Sequence, residues 1–144
     1  MWYEAILEYI NQVYPWFFAV TLNHNVIGVI WAENWNGFRE HHYSVEIGGI
    51  AKRDIPVMVT YTSLQLFLKK LFDETEIYIM RGICDVNNRA AKLCFWRSGF
   101  SHPEHRRAWK LFQGKAVEGS VFSITRPEFE LQMKSLTDTN RHNS

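Results

Sequence analysis

Few side chains in this sequence stand in a pattern that predicts chemistry by itself. Its two cysteines, Cys84 and Cys94, lie in an apolar segment and on the apolar face of a short helix. Such positions favour reduced core thiols over a disulfide, which indicates a reducing compartment. His102 and His105 are three residues apart, but Pro103 prevents the helix that would bring their side chains together. The sequence therefore predicts no zinc site, and no spacing supports a Ser/His/Asp or Cys/His/Asn set.

A basic segment at residues 105–110 resembles, in composition, strands that bind single-stranded nucleic acid, because it mixes cationic side chains with an aromatic one. In a strand, alternate residues face opposite sides, which halves the patch. The whole chain carries 16 Lys and Arg against 15 Asp and Glu, a formal charge of +1. Neither bulk charge nor this segment favours a nucleic-acid partner, and a solvated strand is the better interpretation.

The clearest local pattern is the stretch 85–100, which follows an apolar run at 77–84 that predicts a buried strand. The Asn pair ending at Asn88 can cap a helix, because its side-chain oxygens accept free backbone N–H groups. Gly99 can take the left-handed conformation that ends a helix. Strand, capped helix and glycine stop together predict one βα unit.

The rest of the chain supplies the elements that must position these residues. Asp54 is predicted to cap the longest helix, and Glu33 begins a polar loop at 33–40. We predict helices at 2–14 and 56–72, a short helix within 85–100, helical turns at 127–136, and strands at 16–22, 26–31, 42–50, 77–84, 106–112 and 119–125.

This order of elements predicts an α/β (α+β) fold: a mixed, mostly antiparallel central sheet with helices on both faces. We expect one domain at 1–136 and a frayed polar tail at 137–144. The apolar runs are shorter than the about 20 residues of a membrane span, and the N-terminus lacks the features of a signal peptide. We therefore expect no membrane association and a cytoplasmic protein.

The βα unit resembles the C-terminal half of the GNAT superfamily of acetyl-CoA-dependent N-acetyltransferases. In that family the fifth strand is followed by an Asn-x-x-Ala-type helix and a Gly-Phe stop, here Asn88 to Ala91 and Gly99-Phe100. Residues 120–130 resemble the family's final strand and the acidic turn after it. The resemblance covers roughly residues 2–129 and implies the GNAT fold. Because most members begin with a further strand and helix, it also implies that the usual first strand is missing.

A missing edge strand leaves backbone groups unpaired, so we expect a protein partner or a second copy of the chain to complete the sheet edge. For the cofactor, the resemblance implies acetyl-CoA bound by Ile50, Arg53, Val57 and Asn88. Arg53 stands at the basic position of the pyrophosphate loop, where backbone N–H groups at a helix start meet the phosphates.

Two larger residues stand where that loop has small ones. Pro56 has no N–H to donate, and Met58 adds bulk. These replacements predict weakened contacts with the cofactor's pyrophosphate.

For catalysis, the resemblance implies Glu46 as the general base, since a Glu on the fourth strand often has that role. Glu46 is equally well described as an exposed residue on the polar side of a strand, and Asn88 as a simple helix cap. The family's general acid is a Tyr seven residues after the Asn, and that position is Phe95. The neighbouring thiol of Cys94 is the available substitute.

Two functions follow from the resemblance. The first is an N-acetyltransferase that moves acetyl from acetyl-CoA to an amine, with weak or lost activity. The second is a non-catalytic binding or assembly module on the same fold, such as a phage-encoded or virion-associated structural protein. Fold alone does not decide between them.

Overall fold

A computed structural model describes residues 5–9, 16–38 and 41–142 of the chain. The described strands are β1 Ala5–Tyr9, β2 Phe17–Leu22, β3 Asn25–Phe38, β4 His41–Ala51, β5 Ile79–Asp85, β6 Ser101–Phe112 and β7 Lys115–Thr125, and the helices are α1 Val57–Glu74, α2 Arg89–Arg97 and α3 Arg126–His142. The strands form one sheet in the order β1-β2-β3-β4-β5-β7-β6. Only the β4–β5 pairing is parallel. The predicted mixed, mostly antiparallel sheet is confirmed.

The start of the chain differs from the prediction. Residues Ala5–Tyr9 form an edge strand antiparallel to β2, with Ala5 opposite Leu22, so they are not part of a helix at 2–14. The remainder of that predicted helix lies outside the described residues. A first strand is therefore present, and the expectation that it is missing was wrong. Its apolar residues also fit a helical stripe, but pairing with β2 is a long-range interaction that local periodicity does not report.

Three other boundaries moved. Strand β3 continues through the predicted loop at 33–40 as far as Phe38. Strands β6 and β7 are joined by a two-residue turn at Gln113 and Gly114, whose φ values of 51° and 76° suit a tight hairpin. Helix α3 runs to His142, so the predicted polar tail begins inside a helix.

The helices share a single hydrophobic cluster. Phe67 of α1 meets Phe18 of β2 edge-on at 6.0 Å between ring centroids, and Phe129 of α3 stacks on Phe72 of α1 at 4.9 Å. Helix α2 packs through Phe95 on the same sheet face. The expectation of helices on both faces is not met by the described residues. The β4-α1-β5 and β5-α2-β6 crossovers advance in the same direction along the sheet, so right-handed connections place both helices on one face.

Arg126, the first residue of α3, joins this helix to the end of α1 and to the segment that follows α1. Its Nη1 donates to the carbonyl of Phe72 at 2.6 Å, and its Nη2 donates to the carbonyls of Thr75 and Ile77 at 2.8 and 2.7 Å. Carbonyls at the C-terminal end of a helix have no partner within the helix. The guanidinium therefore satisfies the end of α1 and fixes the start of α3 against it.

The βα unit forms as predicted. Asn88 caps α2, and its side chain accepts a hydrogen bond from the N–H of Ala91 at 3.1 Å. Gly99 has a φ of +89°, the left-handed conformation expected after a helix. Between them, Phe95 stacks on Phe122 with 5.6 Å between ring centroids. The ring fills the space over Gly82, where an added Cβ would lie 2.3 Å from it.

Both cysteines are buried and free, as predicted. Burial raises the pKa of the Cys94 thiol from 9.0 to about 11, and burial also raises the pKa of Cys84. Each thiol therefore stays protonated in the folded protein at neutral pH.

We predict that Gly82→Ala destabilises the protein by about 1–3 kcal/mol, because the methyl group would displace the Phe95 ring from a packed site. The free energy of unfolding in urea measures this loss. The matched test is the double variant Gly82→Ala with Phe95→Leu, in which the smaller side chain makes room for the methyl group. Strict additivity of the two single changes would contradict the packing argument.

We also predict an alkaline loss of stability caused by Cys94. In the unfolded chain the thiol loses its proton near pH 9, whereas in the folded chain it does so near pH 11. This stabilisation is complete below pH 9 and lost as the pH rises to about 11, an amount of roughly 2–3 kcal/mol. Cys94→Ala should flatten that part of the curve, and Cys84→Ala should retain it. Parallel curves for the wild type and Cys94→Ala would contradict the prediction.

Candidate functional site

The site begins where two parallel strands separate. Strands β4 and β5 pair over four positions, from Ser44 opposite Ile79 to Ile47 opposite Gly82. Beyond that point β4 continues beside β3, and β5 continues beside β7. In the described structure, the edge of β4 that faces β5 at residues 48–51 therefore has no strand partner. A ligand with amide groups can bind to such an edge.

A cavity of about 420 Å³ lies at this separation. Its walls come from β2, β3 and β4, from the loop before α1, from the first turns of α1, and from the start of α2. Ile50, Arg53, Val57 and Asn88, which were predicted to bind the cofactor, all line it. The fold brings the four together.

The loop into α1 leaves a helix start open at the cavity. Helix α1 has no side-chain cap and no acidic residue in its first turn, so the predicted cap by Asp54 is not formed. The first bond of the helical ladder runs from the N–H of Val59 to the carbonyl of Pro56, at 2.9 Å. The N–H groups of Val57 and Met58 precede that bond. Free N–H groups at a helix start favour an anion, and Arg53 lines the same cavity.

The two bulky residues of this loop do not occupy the cavity. Pro56 and Met58 are absent from its walls, and the Met58 side chain is 59% exposed. Asp54 does reach the wall, in a left-handed conformation with a φ of 65°. Both side chains therefore lie outside the cavity wall, and Pro56 still lacks an N–H.

Glu46 lies on the face of β4 that points away from the helices. Its side chain is 20% exposed. One carboxylate oxygen, Oε2, accepts a hydrogen bond from Nδ2 of Asn34 at 2.7 Å, and Oε1 lies 3.9 Å from Nη1 of Arg106. In register, Glu46 stands opposite Arg81, one pair before the strands separate. The predicted base is thus next to the cleft, on the face opposite the helices.

The position of the general acid in the GNAT family is occupied here by Phe95, a residue that packs against the core. Phe95 lines the cavity and also packs against Phe122 and Phe100 in the core. Cys94 lines the cavity as well. The pKa of Cys94, raised to about 11 by burial, makes the thiol a weak proton donor. No tyrosine is found among the described residues that line the cavity.

Sequence reasoning missed three polar residues here. Thr60 and Ser63 line the cavity from α1, where they sit between apolar residues of the helix. Asn34 lay in a predicted loop, although Asn34 and Asn36 in close succession favour a left-handed residue and thus an irregular strand.

The described residues contain no group of three His, Cys, Asp or Glu side chains placed to hold a metal ion. None of the described helices is long and apolar enough to cross a membrane.

No protein-family model matches this chain, and no curated protein matches it in sequence. Solved structures match it clearly. A GCN5-related N-acetyltransferase from Brucella melitensis aligns with a TM-score of 0.70 at 20% identity, over 83% of this chain and 55% of that one. Mutant forms of the spermidine/spermine N-acetyltransferase SpeG from Vibrio cholerae align with 0.71 at 18% identity, over 81% and 67%. RimJ from Mycobacterium smegmatis, in complex with CoA-disulfide, aligns with 0.69 at 16% identity, over 78% and 53%.

This chain thus spans between about half and two thirds of the length of those solved chains. At sequence identities of this size, structural similarity shows the fold and does not show the substrate. The strand order, the separation of β4 from β5 and these alignments agree on one fold. The chain has the fold of the GNAT acetyltransferases.

Proposed function

We propose that the protein is an acetyl-CoA-dependent N-acyltransferase of low intrinsic rate, which acetylates an amine. The observation that carries this proposal is the cavity at the separation of β4 and β5, with Ile50, Arg53, Val57 and Asn88 in its wall. Two solved proteins of the same fold support it. SpeG is a spermidine/spermine N-acetyltransferase, and RimJ was solved in complex with CoA-disulfide.

The residues of the cavity suit the parts of such a cofactor. The unpaired edge of β4 at 48–51 offers backbone groups to the amides of the pantetheine arm. The open start of α1 and the guanidinium of Arg53 offer donors and positive charge to the pyrophosphate. The side-chain oxygen of Asn88 accepts the hydrogen bond from Ala91. Asn88 can therefore offer the cofactor its side-chain NH₂ donors and van der Waals contact.

Glu46 would act as the base on the acceptor side. Bound acetyl-CoA would supply an acetyl thioester, whose C–S bond breaks as the C–N bond to the amine forms. Glu46 takes the proton that the amine must lose, directly or through a water molecule. Phe95 has no proton to return to the leaving sulfur, which therefore takes its proton from solvent. A positioned acid contributes about 10²–10⁴ in rate, so its absence predicts slow transfer.

The second candidate is a non-catalytic module that binds a ligand or a partner, for example a phage-encoded or virion-associated protein. The specific observation in its favour is Phe95, whose ring serves the core. In that case a partner or second copy would pair with β1 or β6, the outer strands of the sheet in the described part of the chain. A cytoplasmic location belongs to the first candidate, and a virion location to the second.

Acetyl-CoA should raise the thermal midpoint of unfolding, since a ligand at 100 times its Kd stabilises the native state by about 2.7 kcal/mol. Arg53→Gln should weaken binding roughly tenfold or more, because it removes a charge-assisted contact. Arg107→Gln makes the same charge change on exposed β6, outside the cavity wall, and should bind as the wild type does. An unchanged thermal midpoint at millimolar acetyl-CoA would contradict the enzyme proposal.

Glu46→Gln should lower kcat by about 10²–10⁴ and leave the Kd for acetyl-CoA unchanged, because Glu46 faces away from the cavity. Glu33→Gln is the matched control, since Glu33 is an exposed carboxylate directly opposite Glu46 in the sheet. Rates are measured as free thiol released from acetyl-CoA with a panel of amines. Tight binding without transfer to any amine would favour the non-catalytic module.

A further inference from the structure

We infer that Asn34 is a positioning residue, and that a bulge in β3 places its side-chain amide against the Glu46 carboxylate. The inference rests on the proposed role of Glu46 as base. Nothing in the GNAT resemblance assigns a role to this position.

The bulge is visible in the strand register. Glu33 stands opposite Glu46, and the next pair is Asn36 opposite Ser44, so β3 uses three steps where β4 uses two. The extra residue changes the alternation of side chains. Trp35 packs against the core cluster, with its ring 6.4 Å from Trp16. Asn34 instead lies on the face that carries Glu46.

The hydrogen bond between Asn34 and Glu46 is short, and a second hydrogen bond supports the backbone at Asn34. Nδ2 of Asn34 donates to Oε2 of Glu46 at 2.7 Å, a short distance for a hydrogen bond to a carboxylate. Nδ2 of Asn36 donates to the carbonyl of Asn34 at 3.1 Å and holds the bulged backbone. Among the described residues, the other oxygen of Glu46 has one charged neighbour, Nη1 of Arg106, at 3.9 Å and on a side chain that is 45% exposed. Asn34 is therefore the group that fixes the direction of the carboxylate.

The backbone at Asn34 would suit a different residue better. Its φ is 53°, in the left-handed region where Gly has no steric cost and a bulge of this kind usually has Gly. Asn tolerates the conformation less well than Gly but better than most other residues. An amide at this position thus adds a side-chain donor that the fold itself does not require.

Asn34→Gly tests the inference because it keeps the backbone conformation and removes only the amide. We expect an unchanged or raised thermal midpoint, an unchanged Kd for acetyl-CoA, and a kcat lowered roughly tenfold to a hundredfold by loss of a bond to a charged group. In protein labelled with ¹³C-glutamate, the Glu46 carboxylate resonance should move. That resonance is identified by its absence from Glu46→Gln.

Two further variants separate position from chemistry. Asn23→Gly is the matched control, because Asn23 has nearly the same φ, 52°, in the turn between β2 and β3. It should leave both kcat and the Glu46 resonance unchanged. Asn34→Asp keeps the size of the side chain but replaces the donor by a second carboxylate, and should lower kcat at least as far as Asn34→Gly.

The outcomes distinguish the inference from the proposed function. If Glu46→Gln abolishes transfer while Asn34→Gly changes neither kcat nor the resonance, the inference is wrong and the function stands. If the wild type transfers no acetyl group, the proposed function fails. The Glu46 resonance then decides alone whether Asn34 holds the carboxylate, and an unmoved resonance overturns the inference.

Discussion

The short parallel pairing of β4 with β5 is the constraint on which the rest of the structure depends. Four pairs hold the two halves of the sheet together, and then the strands diverge. Phe95 of α2 fills the space over Gly82 and stacks on Phe122 of β7. Seven residue pairs hold β5 beside β7, while β4 follows β3. The Phe95 ring needs the space that Gly82 leaves open, because a side chain there would compete with the ring.

The same constraint separates two chemical tasks. Glu46 lies on the face of β4 away from the helices, whereas the cavity is walled by the edge of β4 beyond the separation and by α1 and α2. The helix side offers donors and positive charge at Arg53 and the start of α1, which suit an anionic ligand. The other side offers a carboxylate beside the point of divergence. Two ligands can thus approach one reacting point from opposite faces without competing for the same groups.

Much of this architecture could be predicted from local patterns. The Asn88 cap, the Gly99 stop and helix α1 follow from short-range chemistry, and the structure confirms each of them. Strand β1 and the extension of β3 were missed, because their pairing partners are distant in sequence and local patterns do not report them. The one-sided placement of the helices follows from the direction of the crossovers, which is a property of the whole sheet.

The candidate site shows a similar division. Four residues implied by a family resemblance meet in one cavity, since the fold preserves the register of strand, loop and helix. The Met58 side chain is exposed and lies outside the cavity wall, a position that residue type alone does not show, and its expected effect on the cofactor stays a prediction. Asn34 was not predicted to belong to the site. Its importance comes from a bulge, and a bulge depends on the pairing of two strands.

The surroundings of Glu46 bear on the choice between enzyme and module. A carboxylate that is only 20% exposed is held by Asn34 from a strained bulge of β3 and approached by Arg106 from the far edge of the sheet. A sheet that served only for assembly would be as stable with Gly at position 34 and a neutral residue at position 46, since neither amide nor charge is needed for the pairing. Phe95 weakens the case for fast catalysis, but it removes only the acid. A carboxylate held on one face and an open helix start on the other are the two features that the proposed slow acyltransferase would use.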